Sequence, residues 1–178
     1  MLEKNALDTD SSVEQNWKIL QYNVEFVRFF DTKATIIITT YGLIITFICS
    51  TAEVTYAMLV ENKILFALTV LSASCALIAV FYAFRCLNPR LIKLNSQTVI
   101  FFGHIANHKS YKEFDEKLEM VLSETAMYKK QLSEQIFTNS KVAYGKFRNV
   151  AYSMRFSLAS LGFLLVELVF YLLQIRWL

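Results

Sequence analysis

Arg90, His104, Gln135, Asn139 and Lys141 are residues whose types could act together on a ligand. A guanidinium, an imidazole and an ammonium suit a phosphate, and the amides of Gln135 and Asn139 suit the edge of a base. Each also has an ordinary use as a solvated or capping group. With two His in the chain, a metal site would have to be built on His104 and His108, four residues apart, with Glu113 or Asp115 adding oxygen. One packed or capping His and one solvated His is the plainer reading, and no metal is expected. There is no phosphate-cradling Gly-rich loop and no GxSxG, HExxH or CxxC signature. No catalytic residue is assigned, and enzymatic activity is not expected.

Three further residues stand out by their surroundings. Asp31 and Lys33 lie where an apolar stretch begins. They read as an interfacial acid–base pair with a snorkelling Lys, or as an anchor or ligand contact at the membrane surface. Glu167 lies within Leu164-Leu165-Val166-Glu167-Leu168-Val169. An ionised acid in mid-bilayer costs about 3 kcal/mol or more, so Glu167 must be protonated, paired or turned to a polar cavity. A Ser or Thr of a neighbouring span would serve, and Thr35, Thr39, Thr40 and Thr46 of the first span are suitable. The other reading is a residue that lines a pore or drives association between subunits.

The elements that position these residues follow from hydropathy. Residues 34–54, 64–84 and 156–175 are each long enough to cross a hydrocarbon core of about 30 Å. A 55% hydrophobic content is too high for an ordinary soluble domain. Of 18 Lys and Arg, twelve fall in 85–155. The positive-inside rule therefore puts the N-terminus and 85–155 in the cytoplasm, with an outer hairpin near 55–63. No signal peptide is expected ahead of Ala34. The basic excess reads as orientation or anionic-lipid contact, and nucleic acid is not an expected partner. Cys49, Cys75 and Cys86 sit at different depths, so no disulfide is expected.

One Pro and four Gly argue for helices nearly throughout. Ser11-Ser12-Val13-Glu14 offers a capping box ahead of a stripe of Val13, Trp17, Leu20, Val24 and Val27. A second box, Ser110-Tyr111-Lys112-Glu113, precedes Phe114, Leu118, Val121, Thr125, Tyr128, Leu132 and Ile136. Ile136 is expected to face inward, with Gln135 and Asn139 toward another face. Pro89 marks the break after the second span. The predicted fold is all-α: an integral membrane protein with three transmembrane helices, and a cytosolic helical bundle formed by the N-terminal helix and the insert between spans two and three. The divisions are 1–33, an amphipathic helix; 34–84, a transmembrane hairpin; 85–155, a helical insert and candidate sensor; and 156–178, the third span with a short outer tail.

The order Asp31-x-Lys33-Ala34, Pro89-Arg90, Phe102-Gly103-His104-Ile105-Ala106, Gln135-Ile136 and Lys141-x-x-Tyr144, placed around three spans, resembles the membrane effectors of Pycsar bacterial antiphage defence. The resemblance covers roughly residues 15–175. It implies a multi-pass protein of the bacterial inner membrane, held inactive until infection. A nucleotide cyclase would be its functional partner, acting through its product, a cyclic nucleotide and in Pycsar systems a cyclic pyrimidine mononucleotide. Binding would trigger membrane disruption and growth arrest. The chain departs from some relatives in having no large soluble domain fused to the membrane unit and no recognisable cyclic-nucleotide-binding fold. Sensing then belongs either to 85–155 or to another protein. A pore would need a homo-oligomer, because three helices cannot enclose a pathway, and Ala159, Ser160 and Gly162 offer a small-residue contact patch. The rival readings are a membrane adaptor that recruits a partner protein without forming a pore, and a small ion or proton transporter using Glu167.

Overall fold

With so few Gly and a single Pro, little in the chain interrupts i→i−4 hydrogen bonding. A computed structural model describes residues 2–52, 62–88 and 98–176, with side chains described between 11 and 173. Every element among the described residues is helical: α1 (Leu2–Ser50), α2 (Lys63–Leu87), the single turn α3 (Phe102–Ile105), α4 (Tyr111–Ser123) and α5 (Thr125–Arg176). Stretches of α1, α2 and α5 are each long and apolar enough to cross a membrane. The all-α membrane class read from hydropathy is borne out. Arg90, Pro89 and most of the expected outer hairpin lie outside the described residues.

Helix ends follow local chemistry. Asn62 opens α2, its side-chain oxygen accepting from the N–H groups of Ile64 at 3.0 Å and Leu65 at 3.4 Å. At the other end Asn88 has ψ 120°. The residue before a proline is pushed out of the helical region in this way, and α2 stops at Leu87. Ser110 caps α4 as expected, accepting from Glu113 N–H at 3.3 Å. The reciprocal bond reaches one residue further back, from Lys109 N–H to Glu113 Oε2 at 3.1 Å. Two expectations need correction. Ser11–Glu14 does not start a helix, because α1 already begins at Leu2. The stripe from Phe114 to Ile136 is carried by two helices, since the extended backbone of Glu124 ends α4 and α5 starts at Thr125.

The chain forms two compact units, Met1–Phe29 with Arg90–Tyr144, and Phe30–Pro89 with Gly145–Leu178. In the first, Leu20, Val99, Val121 and Leu132 are buried. The two predicted stripes meet there: Trp17 Nε1–H donates to the Tyr128 hydroxyl at 2.9 Å. In the second, Ala34, Ala83, Cys86 and Val150 form a core flanked by Phe30, Ile37, Ile38 and Leu87. Small side chains at this contact let helix backbones approach closely, as suits packing in lipid. Leu43, Leu77 and Leu158 point outward and stay about 70% exposed (69%, 71% and 70%). In water such a surface would be a liability; against acyl chains it is the expected exterior. The three cysteines carry free thiols.

The α4 cap gives a pH dependence. The Lys109 N–H, assisted by the His108 ring at 3.5 Å, holds the Glu113 carboxyl below its ordinary value of 4.5. A carboxyl held low in the folded state stabilises it above the unfolded pKa, and that contribution is lost as pH falls through the folded value. The Lys109 amide proton is expected to keep its bonded chemical shift as pH falls through 4.5, the ordinary value, and to lose it only below that. Glu113→Ala should abolish the transition, as read by amide NMR across a pH titration.

Candidate functional site

In the second unit a polar seam runs between α2 and α5. Leu65, Ser72, Ala79 and Cys86 are all buried on α2 and recur every seven residues. On α5, Lys146, Ser153, Ser160 and Glu167 recur at the same interval. A seven-residue repeat keeps two helices in register along a left-handed seam. Three of its polar contacts end on backbone carbonyls. Lys146 Nζ donates to Cys86 O at 3.0 Å, Ser153 Oγ to Ala79 O at 2.7 Å, and Ser72 Oγ to Ser160 O at 3.0 Å. Between the repeats, Asn149 Nδ2 donates to Arg85 O at 3.3 Å. From α1, the Tyr41 hydroxyl reaches Ser157 O at 3.4 Å.

Asp31 finds its partner in this seam. It pairs with Lys146, whose side chain is 12% exposed, and not with Lys33 as expected from the sequence. Residues two apart on a helix do not face each other, whereas Lys146 comes from the helix packed against that face.

Glu167 pairs with α2. The Thr69 hydroxyl lies 2.6 Å from Glu167 Oε1 and 2.9 Å from the Leu65 carbonyl. Glu167 Oε2 is buried without a partner among the described residues. Three of the four expected Thr partners on the first span are otherwise engaged: Thr35, Thr40 and Thr46 donate to the carbonyls of Asp31, Ile36 and Gly42. The small-residue patch also divides, with Ser160 buried in the seam while the face of Gly162 is open.

The first unit contains a cavity of about 770 Å³, within the range of small-ligand sites. Trp17, Phe101 and Phe102 give it aromatic walls, the amides of Gln21, Gln135 and Asn139 give it polar groups, and Glu25 and Arg28 also line it. Gln135 is 6% exposed. Its Nε2 donates to Asn139 Oδ1 at 3.2 Å, and its Oε1 is buried without a partner. The inward face therefore passes through Gln135, and Ile136 is only half-buried, the reverse of the expectation. The turn α3 supports the wall. A Cβ on Gly103 would meet the Phe101 ring at 2.6 Å, so only glycine lets that ring lie as it does.

Of the five ligand candidates, Gln135 and Asn139 come together in this cavity. His104 stands beside it, with its ring against Phe101 and Nδ1 accepting the buried Thr98 N–H at 3.0 Å. Lys141 lies over the Phe137 ring, 4.3 Å from its centre. His108 turns to Glu113 and Phe114, apart from His104. No group of three potential metal ligands gathers among the described residues. Sequence reading missed Trp17 and Arg28 as cavity residues. It also missed the seven-residue recurrence of Lys146, Ser153, Ser160 and Glu167, which is visible once the apolar run is read for its polar members.

Compared with known families, the chain matches the Pycsar effector protein domain over residues 15–173. No curated protein and no solved structure matches it.

Two predictions follow from these contacts. Lys146→Met and Asp31→Asn should each lower stability in detergent denaturation, with a coupling of about 0.5–3 kcal/mol recovered in the double variant. Strictly additive effects would show that the two do not act as a pair. His104→Ala, by stranding the Thr98 amide, should cost about 1–3 kcal/mol of stability, and His104→Asn less, because its side-chain oxygen can replace Nδ1.

Proposed function

The chain belongs to the Pycsar effector family and is a membrane protein of antiphage defence, and on that premise we propose that it answers a cyclic nucleotide by disrupting the bacterial inner membrane. In this reading the N-terminus and the segment 85–155 face the cytoplasm, where the product of a partner cyclase, a cyclic pyrimidine mononucleotide, reaches them. The protein acts by rearrangement and association, not by catalysis.

The observation that carries the membrane step is the polar seam between apolar helices. Thr69, Ser72, Ser160 and Glu167 are costly residues to hold in hydrocarbon, and an all-apolar contact would anchor the helices without them. Most of them are satisfied across the seam, by a backbone carbonyl of the facing helix or by the Thr69–Glu167 contact. A helix pair that separates must find water or a second copy for the same groups, so opening and association are coupled. The ligand shifts this equilibrium only by its preference for the open arrangement: going from 1:99 to 99:1 needs a preference of about 10⁴-fold.

Cells that co-express the protein with an active pyrimidine cyclase are expected to lose membrane potential, and a catalytically dead cyclase should leave it unchanged. Glu167→Leu should reduce the loss. Purified protein in dye-loaded liposomes should leak when the cyclic nucleotide is added. Liposomes that bind the nucleotide yet stay tight would replace the disruption mechanism with the adaptor reading.

A further inference from the structure

Among the described residues of the first unit, Gln135 Oε1 is the one buried side-chain polar atom without a partner. An acceptor stripped of water and left unbonded costs about 1–3 kcal/mol. Gln135 lines the cavity, and a turn of its amide would bring this bare acceptor to a donor held there. Gln135 Nε2 gives one of its two protons to Asn139 Oδ1, so Gln135 keeps its acceptor, and Asn139 keeps its Nδ2 donors beside it. A neighbouring acceptor and donor match a planar ring whose edge carries a donor next to an acceptor, as every nucleobase does. The walls agree: Trp17 and Phe101 offer flat faces, and stacking a base on an aromatic side chain is worth about 1–3 kcal/mol. Arg28 at the lining suits a phosphodiester, and the Glu25 carboxylate suits a sugar hydroxyl.

We propose that this cavity is the base-reading site of the effector and takes one cyclic mononucleotide, with Gln135 and Asn139 on the base edge and Trp17 or Phe101 against its face. The proposal rests on the reading above that the regulatory ligand is a cyclic nucleotide. His104 is then a positioning residue: it holds Thr98 and backs the Phe101 ring without touching the ligand.

The test uses the full chain in lipid nanodiscs, carrying Trp177→Phe so that Trp17 is its sole tryptophan. The probes are the 3′,5′-cyclic monophosphates of uridine, cytidine, adenosine and guanosine, followed by Trp17 emission and by calorimetry. One of the four should bind and change Trp17 emission. Gln135→Leu should weaken it by about tenfold or more, in line with one lost hydrogen bond to a buried partner. Trp17→Leu, read by calorimetry, should weaken it similarly, whereas Lys112→Ala, on an exposed face of α4, should not. Gln135→Leu also removes an unpartnered buried atom, so its unfolding midpoint should equal or exceed that of the parent, which separates lost binding from lost folding. A nucleotide that binds both the Gln135→Leu and Trp17→Leu variants with parental affinity would overturn this site and leave the effector reading standing. Binding of none of the four would overturn both.

Discussion

A single ammonium group touches all three helices of the membrane unit. Pro89 has no N–H to offer α2, so the carbonyls at the end of that helix call for other donors. Lys146 and Asn149 of α5 reach across to the Cys86 and Arg85 carbonyls. Positive charge is favoured at that end of a helix. A buried ammonium needs a counter-charge, and Asp31 of α1 supplies it. Three helices are thus joined through one side chain, and the small residues Ala34, Ala83 and Cys86 around it let the backbones close in.

Much of this was legible in the sequence. The spans stood out by hydropathy, the end of α2 by Asn88-Pro89, and the cap of α4 by Ser110 with Glu113. The failures share a cause: a pattern was read by its apolar members alone. Ile136 was taken for the inward residue because it is apolar, yet Leu132 and Gln135 are the buried pair. Asp31 was paired with the nearest base in sequence when its partner lies 115 residues on. Thr69 was passed over as a partner for Glu167 because the first span holds more threonines, although Thr35, Thr40 and Thr46 spend their hydroxyls on their own helix. No local signal marks Trp17 as a cavity wall, because the cavity exists only once distant segments fold against one another.

The polar groups that remain without partners are also informative. Among the described residues, the buried polar side-chain atoms left unbonded are Gln135 Oε1, Ser157 Oγ and Glu167 Oε2. A fold that routes Lys146, Asn149, Ser153 and Ser72 to backbone carbonyls does not leave an acceptor bare for want of local chemistry. All three lie on α5, two within its membrane-spanning half and the third on a residue that lines the cavity. They mark where one copy of the chain, without ligand or neighbour, is chemically incomplete.

The seven-residue recurrence on both α2 and α5 has a mechanical consequence. Because the contacts repeat at one interval, an axial slide of one helix past the other breaks every rung at once. A slide by a whole repeat restores the geometry but not the chemistry: Lys146 would leave the terminal carbonyl and its carboxylate and face the bonded interior of α2. The pair therefore has one alignment and no graded series of neighbours to creep through. Such a seam behaves like a zip with a keyed end, fully engaged or fully released, and it turns a small bias at one end into an all-or-none change along its length.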